Sequence, residues 1–470
     1  MRKILGRRLM EEGVITIKEL QEALDRQRTF GGRLGRNLIA LGHLQEKELL
    51  RFFDFCPKAP KKLEDADLGE TFLRDLLLKH ALLIKKFTIQ TLSDRMKLTP
   101  NIIVEVIGGL KNDRLVEITK GNTSFSTMNY EYQITEAGMH LANGLMEECR
   151  YAGPAPVSID DYREAVEIQT IKSIDVTEEQ IQEAFRNIVV GKSMIRRLGA
   201  GINSGKPMFL YGPPGVGKTT IAEAIGRCLR GEIYLPYAVW VGGQVIIVYD
   251  QVNHHPPETD APAERQDADP RWVRVRRPII LAGGEMTLKT LDLDFNPNSK
   301  YYEAPLQMKA NNGIFIVDDL GRQLVDPQTL LNRWIVPLDR RLDYLSLHTG
   351  MKFEIPFDQA VIFATNIEPT KLADEAFLRR LRYKIRVGYP TPKEYRAIFQ
   401  AVCDANDLSL EDVVFDYLIA KYDDSGIKPI GCHPRDLVDH IIDEAYFARK
   451  PPAVTKEAID FAWGSYFVDI

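Results

Sequence analysis

The chain is poor in cysteine, with five in 470 residues. Cys56, Cys149, Cys228, Cys403 and Cys432 lie far apart and without CxxC spacing, which argues against a disulfide framework or a cysteine zinc site and fits a reducing, cytoplasmic setting. Excess charge of one sign is also missing. Sixty-one Lys and Arg face 66 Asp and Glu, a net −5, too balanced for nucleic acid to be the main partner. Long apolar runs are scarce. The opening MRKILGRRLMEEG is interrupted by charge too often for a signal-peptide core. Residues Ile233 to Tyr249 carry no charge, but 17 residues only touch the lower limit for a bilayer crossing. Pro236 and the pair Gly242-Gly243, set among β-branched and aromatic residues, predict a β-hairpin there, and no membrane span is expected.

What is present is an ordinary globular composition, 44 % apolar and 27 % charged, which excludes disorder throughout. At about 150 residues per domain the length suggests about three domains. Breaks rich in Pro and charge divide the chain into a module at 1–56, a linker at 57–69, a unit at 70–150, a linker at 151–174 and a long remainder. Within that remainder, 233–275 reads as an inserted hairpin and loop. Its segment Asn253 to Pro270 is polar and reads as a mobile loop, with His254 and His255 solvated rather than metal-bound.

Residues 1–56 hold an internal repeat. Ile4 to Gln27 and Arg33 to Cys56, separated by five residues, share Leu5-Gly6 with Leu34-Gly35, Leu9 with Leu38, Gly13 with Gly42 and Leu20 with Leu49. Each copy reads as a helix, a Gly-terminated turn and a second helix. Eight of the module's 11 basic residues are Arg, suited to stacking and to forking onto phosphates. The repeat resembles the tandem 24-residue motifs of the MshE-type N-terminal domain of type II secretion and type IV pilus assembly ATPases, which binds cyclic di-GMP. The resemblance implies a dinucleotide site at Gly6, Gln27, Arg33 and Gly35. Ile4 and Cys56 stand where the family pattern has Arg and Gln, so the expectation is weak cyclic di-GMP binding and a module used chiefly for docking.

Residues 70–150 read as helix, helix, helix and strands, the pattern of a winged helix-turn-helix. Its third helix, Asn101 to Lys111 (NIIVEVIGGLK), has no Arg or Gln, and no Asn beyond its first residue, to read base edges. From Glu70 to Leu145 nine basic residues meet eight acidic ones, so a spacer or protein-contacting role is expected and DNA is not.

The strongest pattern follows the apolar stretch Pro207 to Tyr211. Gly212 to Thr220 reads GPPGVGKTT and leads into a predicted helix, which is the strand, GxxxxGK[ST], helix arrangement of a P-loop. The glycines let backbone N–H groups approach phosphates, Lys218 adds charge at the β- and γ-phosphates, and the Thr219 hydroxyl suits Mg²⁺. Gly212, Pro213, Pro214, Gly215, Val216, Gly217 and Thr220 complete the binding loop. Gly313 to Asp319 (GIFIVDD) is an apolar strand ending in two carboxylates: Asp318 fits Mg²⁺ coordination and Asp319 activation of water. The apolar strand Ala360 to Ala364 ends in Thr365-Asn366, and Asn366 is placed to hydrogen-bond the water or the γ-phosphate.

Together these residues resemble the AAA+ ATPases over roughly 175–470. The resemblance implies a packing segment for adenine at Ile188 to Gly191, including Val190 and Gly191. It also implies a first sensor at Asn366, an arginine finger among Arg380, Arg382 and Arg379, and a second sensor at Arg435 in His433-Pro434-Arg435. Asp343 to Phe357, strand, turn and strand, is similar to the hairpin before the first sensor in the MoxR and magnesium-chelatase branch. Trp240-Val241-Gly242 is similar to a substrate-gripping pore loop. The expected architecture is an α/β P-loop AAA+ core at 175–390 with a helical lid at 391–470, preceded by an all-α repeat module and a winged-helix domain. The expected function is ATP hydrolysis by a homo-oligomer, a hexamer by resemblance, that remodels an unidentified protein partner. The alternatives are a slowly hydrolysing assembly switch and a winged-helix DNA-binding regulator.

Overall fold

A computed structural model describes residues 2–31, 34–45, 48–49, 55–120, 130–257, 267–372 and 374–467. Arg33 of the expected dinucleotide site, and 258–266 of the expected mobile loop, lie outside the described residues.

The first repeat copy forms helices Arg2–Glu11 and Ile17–Phe30, and the second opens with Leu34–Ala40. Leu9, Ile15, Ala23, Leu34, Leu38 and Leu44 form their shared core. The glycines common to both copies are close-approach positions. A Cβ on Gly6 would lie 2.8 Å from Leu20 Cδ1, and one on Gly35 would lie 2.7 Å from Leu49 Cδ2. Helix packing therefore accounts for Leu-Gly and for the later Leu in each copy.

Residues 57–69 are not a free tether. Asp269 N–H donates to the Pro57 carbonyl (2.8 Å) and Ala59 N–H to that of Asp267 (3.1 Å), so the segment runs along the far end of the insertion. Next come helices Glu70–Ile84, Ile89–Met96, Pro100–Asn112 and Glu136–Glu148. Strands Lys86–Phe87, Glu131–Ile134 and Val116–Lys120 form a three-stranded antiparallel sheet beside them. Thr88 and Thr135 cap two of the helices through their side chains.

Residues 151–174, expected as a linker, contain strand Val157–Ser158 and helix Ile159–Ile168. Tyr162 of this helix is fully buried; its hydroxyl donates to the Met308 carbonyl and accepts from Asn311 Nδ2. Short polar breaks in the sequence conceal this because the partners lie some 150 residues downstream, at sequence separations of 146 and 149.

The expected hairpin forms from Ala238–Val241 and Gln244–Ile247, turning at Gly242 (φ 53°) and Gly243 (φ 81°). It belongs to a five-stranded sheet with Val157–Ser158, Tyr301–Glu303 and Asp294–Asn296. The preceding strand Glu232–Pro236 instead pairs with Trp272–Arg276. The Trp240 ring packs on Phe72 of the preceding unit, centroids 4.0 Å apart, so the tripeptide read as a pore loop is in fact an interdomain contact. Arg271, 3 % exposed, fastens the same junction: it pairs with Asp269 and donates to the carbonyls of Ala66 and Pro156. His254 is buried, accepting from Asp250 N–H at Nδ1 while Nε2 lies 2.9 Å from the Lys309 carbonyl, which corrects the solvated reading.

The centre of the molecule is a parallel sheet of five strands in the order Ile279–Ala282, Ile314–Val317, Ala360–Thr365, Met208–Tyr211, Tyr383–Arg386. The three inner strands read as near-continuous apolar runs because both of their faces are covered, whereas the edge strands Ile279–Ala282 and Tyr383–Arg386 expose part of their residues. Hairpin Leu342–Ser346 with Lys352–Pro356 precedes the Ala360–Thr365 strand, as the sequence predicts. Four helices, Pro392–Ala405, Asp412–Ser425, His433–Phe447 and Lys456–Tyr466, form a separate core around Tyr395, Phe399, Leu418 and Leu437. No helix among the described residues is long and apolar enough to cross a membrane, and all five cysteines are free.

Candidate active site

Three neighbouring strands of the parallel sheet deliver the polar residues to one edge. Met208–Tyr211 leads into the Gly212–Gly217 loop and helix Lys218–Cys228. Ile314–Val317 ends at Asp318-Asp319, and Ala360–Thr365 ends at Asn366. Ligands of open α/β sheets bind at such carboxyl ends.

The loop's shape is enforced by crowding. A Cβ on Gly212 would stand 1.9 Å from the Val387 carbonyl oxygen, which excludes any side chain. Gly215 has φ 73°, and a Cβ there would meet Ile430 Cδ1 at 2.5 Å and Cys432 Sγ at 2.9 Å. The C-terminal helical unit therefore presses directly on the loop, and Cys432 N–H donates to the Gly215 carbonyl (3.1 Å).

Lys218 is buried, 7 % exposed, and its ammonium donates to the carbonyls of Gly212 (3.1 Å) and Pro213 (2.7 Å) and to Asn366 Oδ1 (2.6 Å). Burial lowers its pKa, against the opposing pull of Asp319 and Asp318; Arg322 also lowers it. Asn366 Nδ2 donates to Asp319 Oδ1 (3.3 Å), so one amide bridges the lysine and the second carboxylate. Thr219 Oγ1 donates to Asp318 Oδ2 (2.7 Å). That pair supplies only oxygen ligands next to the loop, a donor set that suits Mg²⁺.

These residues border a cleft of about 1040 Å³. Pro214 to Thr220, Asp318, Asp319 and Asn366 line it, together with the apolar segment Ile188 to Gly191. Arg435, near the start of helix His433–Phe447, also lines the cleft. Gly212 and Pro213 act through their carbonyls on Lys218. Arg380 and Arg382 do not line the cleft of their own chain. Arg380 pairs with Asp339 (2.6 Å), and Arg382 is exposed with no ion pair among the described residues. Gly6, Gln27 and Gly35 lie in the N-terminal helical module; Gly6, Gln27 and Gly35 are buried there.

The sequence reading missed the contact of Ile430 and Cys432 with Gly215, and it missed Arg322 and Gln323. Gln323 Nε2 donates to the Asp318 carbonyl (3.0 Å) while its Oε1 accepts from Gly321 N–H (2.8 Å). The available signal was proximity: both residues follow Asp319 within four positions.

A phosphate-binding loop after strand Met208–Tyr211, two carboxylates after strand Ile314–Val317 and an amide after the central strand Ala360–Thr365 define a P-loop nucleotide-binding α/β domain. The family model "ATPase family associated with various cellular activities (AAA)" matches residues 208–246, and "Domain of unknown function (DUF8689)" matches 391–465. The vesicle-fusing ATPase of Dictyostelium discoideum is 44 % identical over 51 residues, covering 11 % of this chain and 7 % of that one. The proteasome-activating nucleotidase of Methanosarcina mazei is 28 % identical over 142 residues, covering 28 % of this chain and 34 % of that one. This chain thus spans a small fraction of one curated relative and about a third of the other. Among solved structures, the Thermotoga maritima RuvB Holliday junction branch migration motor aligns at 12 % identity and a TM-score of 0.35, covering 64 % of this chain and 74 % of that one. The AAA match covers the strand, loop and helix that carry Gly212 to Thr220, and these similarities support an ATP hydrolase.

Proposed function

We propose that the protein binds ATP in the cleft at Gly212–Thr220, hydrolyses it, and uses the cycle to remodel a protein partner as an assembly of several copies. The carrying observation is the chain of contacts Lys218–Asn366–Asp319 beside the Thr219–Asp318 pair. Loop N–H groups and Lys218 bind the phosphates, and Ile188 to Val190 offer adenine an apolar wall. Thr219 and Asp318 would hold Mg²⁺, which neutralises phosphate charge when bound. Asp319 orients and deprotonates the attacking water while Asn366 fixes the carboxylate. Asp is one methylene shorter than Glu, and that short reach favours slow turnover, so a nucleotide-dependent assembly switch is the second reading.

The hairpin Leu342–Pro356 before the Asn366 strand supports placement near the MoxR and magnesium-chelatase branch. The four C-terminal helices act as a lid carrying Arg435, and the 70–150 unit is a winged helix used as a spacer. Arg380 and Arg382, which lie outside their own cleft, serve a neighbouring copy in this reading. The N-terminal repeat suits docking in a secretion, pilus or signalling setting, with cyclic di-GMP bound weakly.

Calorimetric titration with ATP tests the nucleotide assignment. Wild type should bind, and Lys218→Ala should lose binding at least tenfold, since a phosphate-facing ammonium is worth about 1.5–3 kcal/mol. Equal affinity in the two proteins would remove the basis of the assignment.

A further inference from the structure

The turn after the second carboxylate is held from several sides. Leu320 N–H donates to the Ala364 carbonyl (2.9 Å), and Thr365 Oγ1 donates back to the Leu320 carbonyl. Arg322 N–H donates to the Asp319 carbonyl (2.9 Å), and Gln323 clasps Gly321 N–H and the carbonyls of Asp318 (3.0 Å) and Gly283 (3.4 Å). Gly321 has φ 104°, and a Cβ there would meet Ile367 Cδ1 at 2.7 Å. These contacts fix the backbone at Arg322 relative to the strand that carries Asn366.

From that rigid turn the Arg322 side chain reaches the wall of the nucleotide cleft shared by Lys218, Asp318, Asp319 and Asn366. It forms no ion pair or hydrogen bond among the described residues, although two carboxylates share the wall. Arg322 is exposed in this cleft, and a guanidinium left open there beside Lys218 matches an incoming anion rather than an internal partner.

We propose that Arg322 contacts the terminal phosphate of the nucleoside triphosphate bound in its own chain, as a further catalytic residue for hydrolysis. The inference rests on the ATPase reading above. In the reaction the water oxygen bonds to the γ-phosphorus while the bond from that phosphorus to the bridging oxygen breaks. ADP keeps the electron pair, and the proton of the water passes to Asp319 and then to phosphate. Arg322 exchanges no proton; its charge balances the equatorial oxygens as negative charge builds there.

The test compares wild type, Arg322→Ala and Arg322→Lys in full-length protein, reading ADP affinity, AMP-PNP affinity and phosphate release. Arg322→Ala should keep ADP affinity within about twofold, weaken AMP-PNP about tenfold and lower kcat about 100-fold, with partial recovery in Arg322→Lys. Mixing Arg322→Ala with Lys218→Ala subunits should restore no turnover, because both residues belong to one chain's site. Unchanged kcat, equal loss of ADP and AMP-PNP, or restored turnover on mixing would each overturn the assignment while the ATPase reading stood. A wild type that bound neither nucleotide would overturn the ATPase reading and this inference with it.

Discussion

At the residue scale the binding loop depends on one atom that is absent. Gly212 has no Cβ, and the Val387 carbonyl occupies the place where one would stand. Gly212→Ala should shift the loop and the adjoining strand Tyr383–Arg386, at about 1–3 kcal/mol for overpacking. In a thermal-shift assay the variant should melt below wild type and gain little stabilisation from ATP; a wild-type response to ATP would argue against this packing. The nine residues of the loop were legible in the sequence because the motif is contiguous and each type has a local reason to be there. Asp318, Asp319 and Asn366 were legible for a related reason, each ending a strongly apolar strand. Arg322 was not: its position depends on the turn around Gly321 and Gln323, whose partners Ile367 and Gly283 are remote in sequence, the latter 40 positions from Gln323.

At the scale of elements, the C-terminal helices are tied together by a buried polar chain. The Tyr395 and Tyr422 hydroxyls lie 2.8 Å apart, and the Tyr422 hydroxyl lies 2.8 Å from His433 Nδ1. His433 begins the helix that brings Arg435 to the cleft. Burial lowers the His433 pKa to about 4, with Asp436 pulling the other way. Below the ordinary histidine value of 6.5 the unfolded chain takes up a proton that the folded chain refuses. Stability is therefore full above that value and falls as pH drops through about 4, by about 3 kcal/mol in all and about 2 kcal/mol by pH 5. His80 and His254, also lowered chiefly by burial, act in the same direction. Denaturation midpoints at pH 7 and pH 5 should differ less in His433→Asn than in wild type; an identical difference would remove His433 from the account. The helical character of this region and the helix opening at His433 were legible, as were the three helices before Asp113 and the hairpin, whereas helix Glu136–Glu148 after the strands was not. The helix in 151–168 and the burial of Trp240 were hidden, because both answer to partners remote in sequence: Met308 and Asn311 for the helix, Phe72 for the tryptophan.

For the whole molecule, the N-terminal units are fastened to the remainder of the chain. Arg36 pairs with Asp175 at the approach to the domain, Phe55 packs edge-on to Tyr234 and Trp272, and Arg271 bridges three segments. These contacts tie residues 55–150 to the strands of the insertion that follows the phosphate-binding loop. The arginines outside the cleft give the assembly its test. Arg382→Ala and Lys218→Ala subunits, each inactive alone, should recover part of the turnover when mixed, because some interfaces then join an intact loop to an intact finger. Failure of every pairing of Arg379, Arg380 or Arg382 variants with Lys218→Ala would exclude a finger from a neighbouring copy.

The most direct test of the central assignment is phosphate release from Mg²⁺–ATP by wild type and Asp319→Asn, with ATP affinity measured on the same samples. The substitution changes one carboxylate oxygen to an amide and leaves the phosphate-binding loop intact. Wild type should release phosphate, whereas Asp319→Asn should bind ATP with similar affinity and turn over at least 100-fold more slowly, a barrier change of about 2.7 kcal/mol. Phosphate release from Asp319→Asn at the wild-type rate would contradict the assignment of hydrolysis to this cleft.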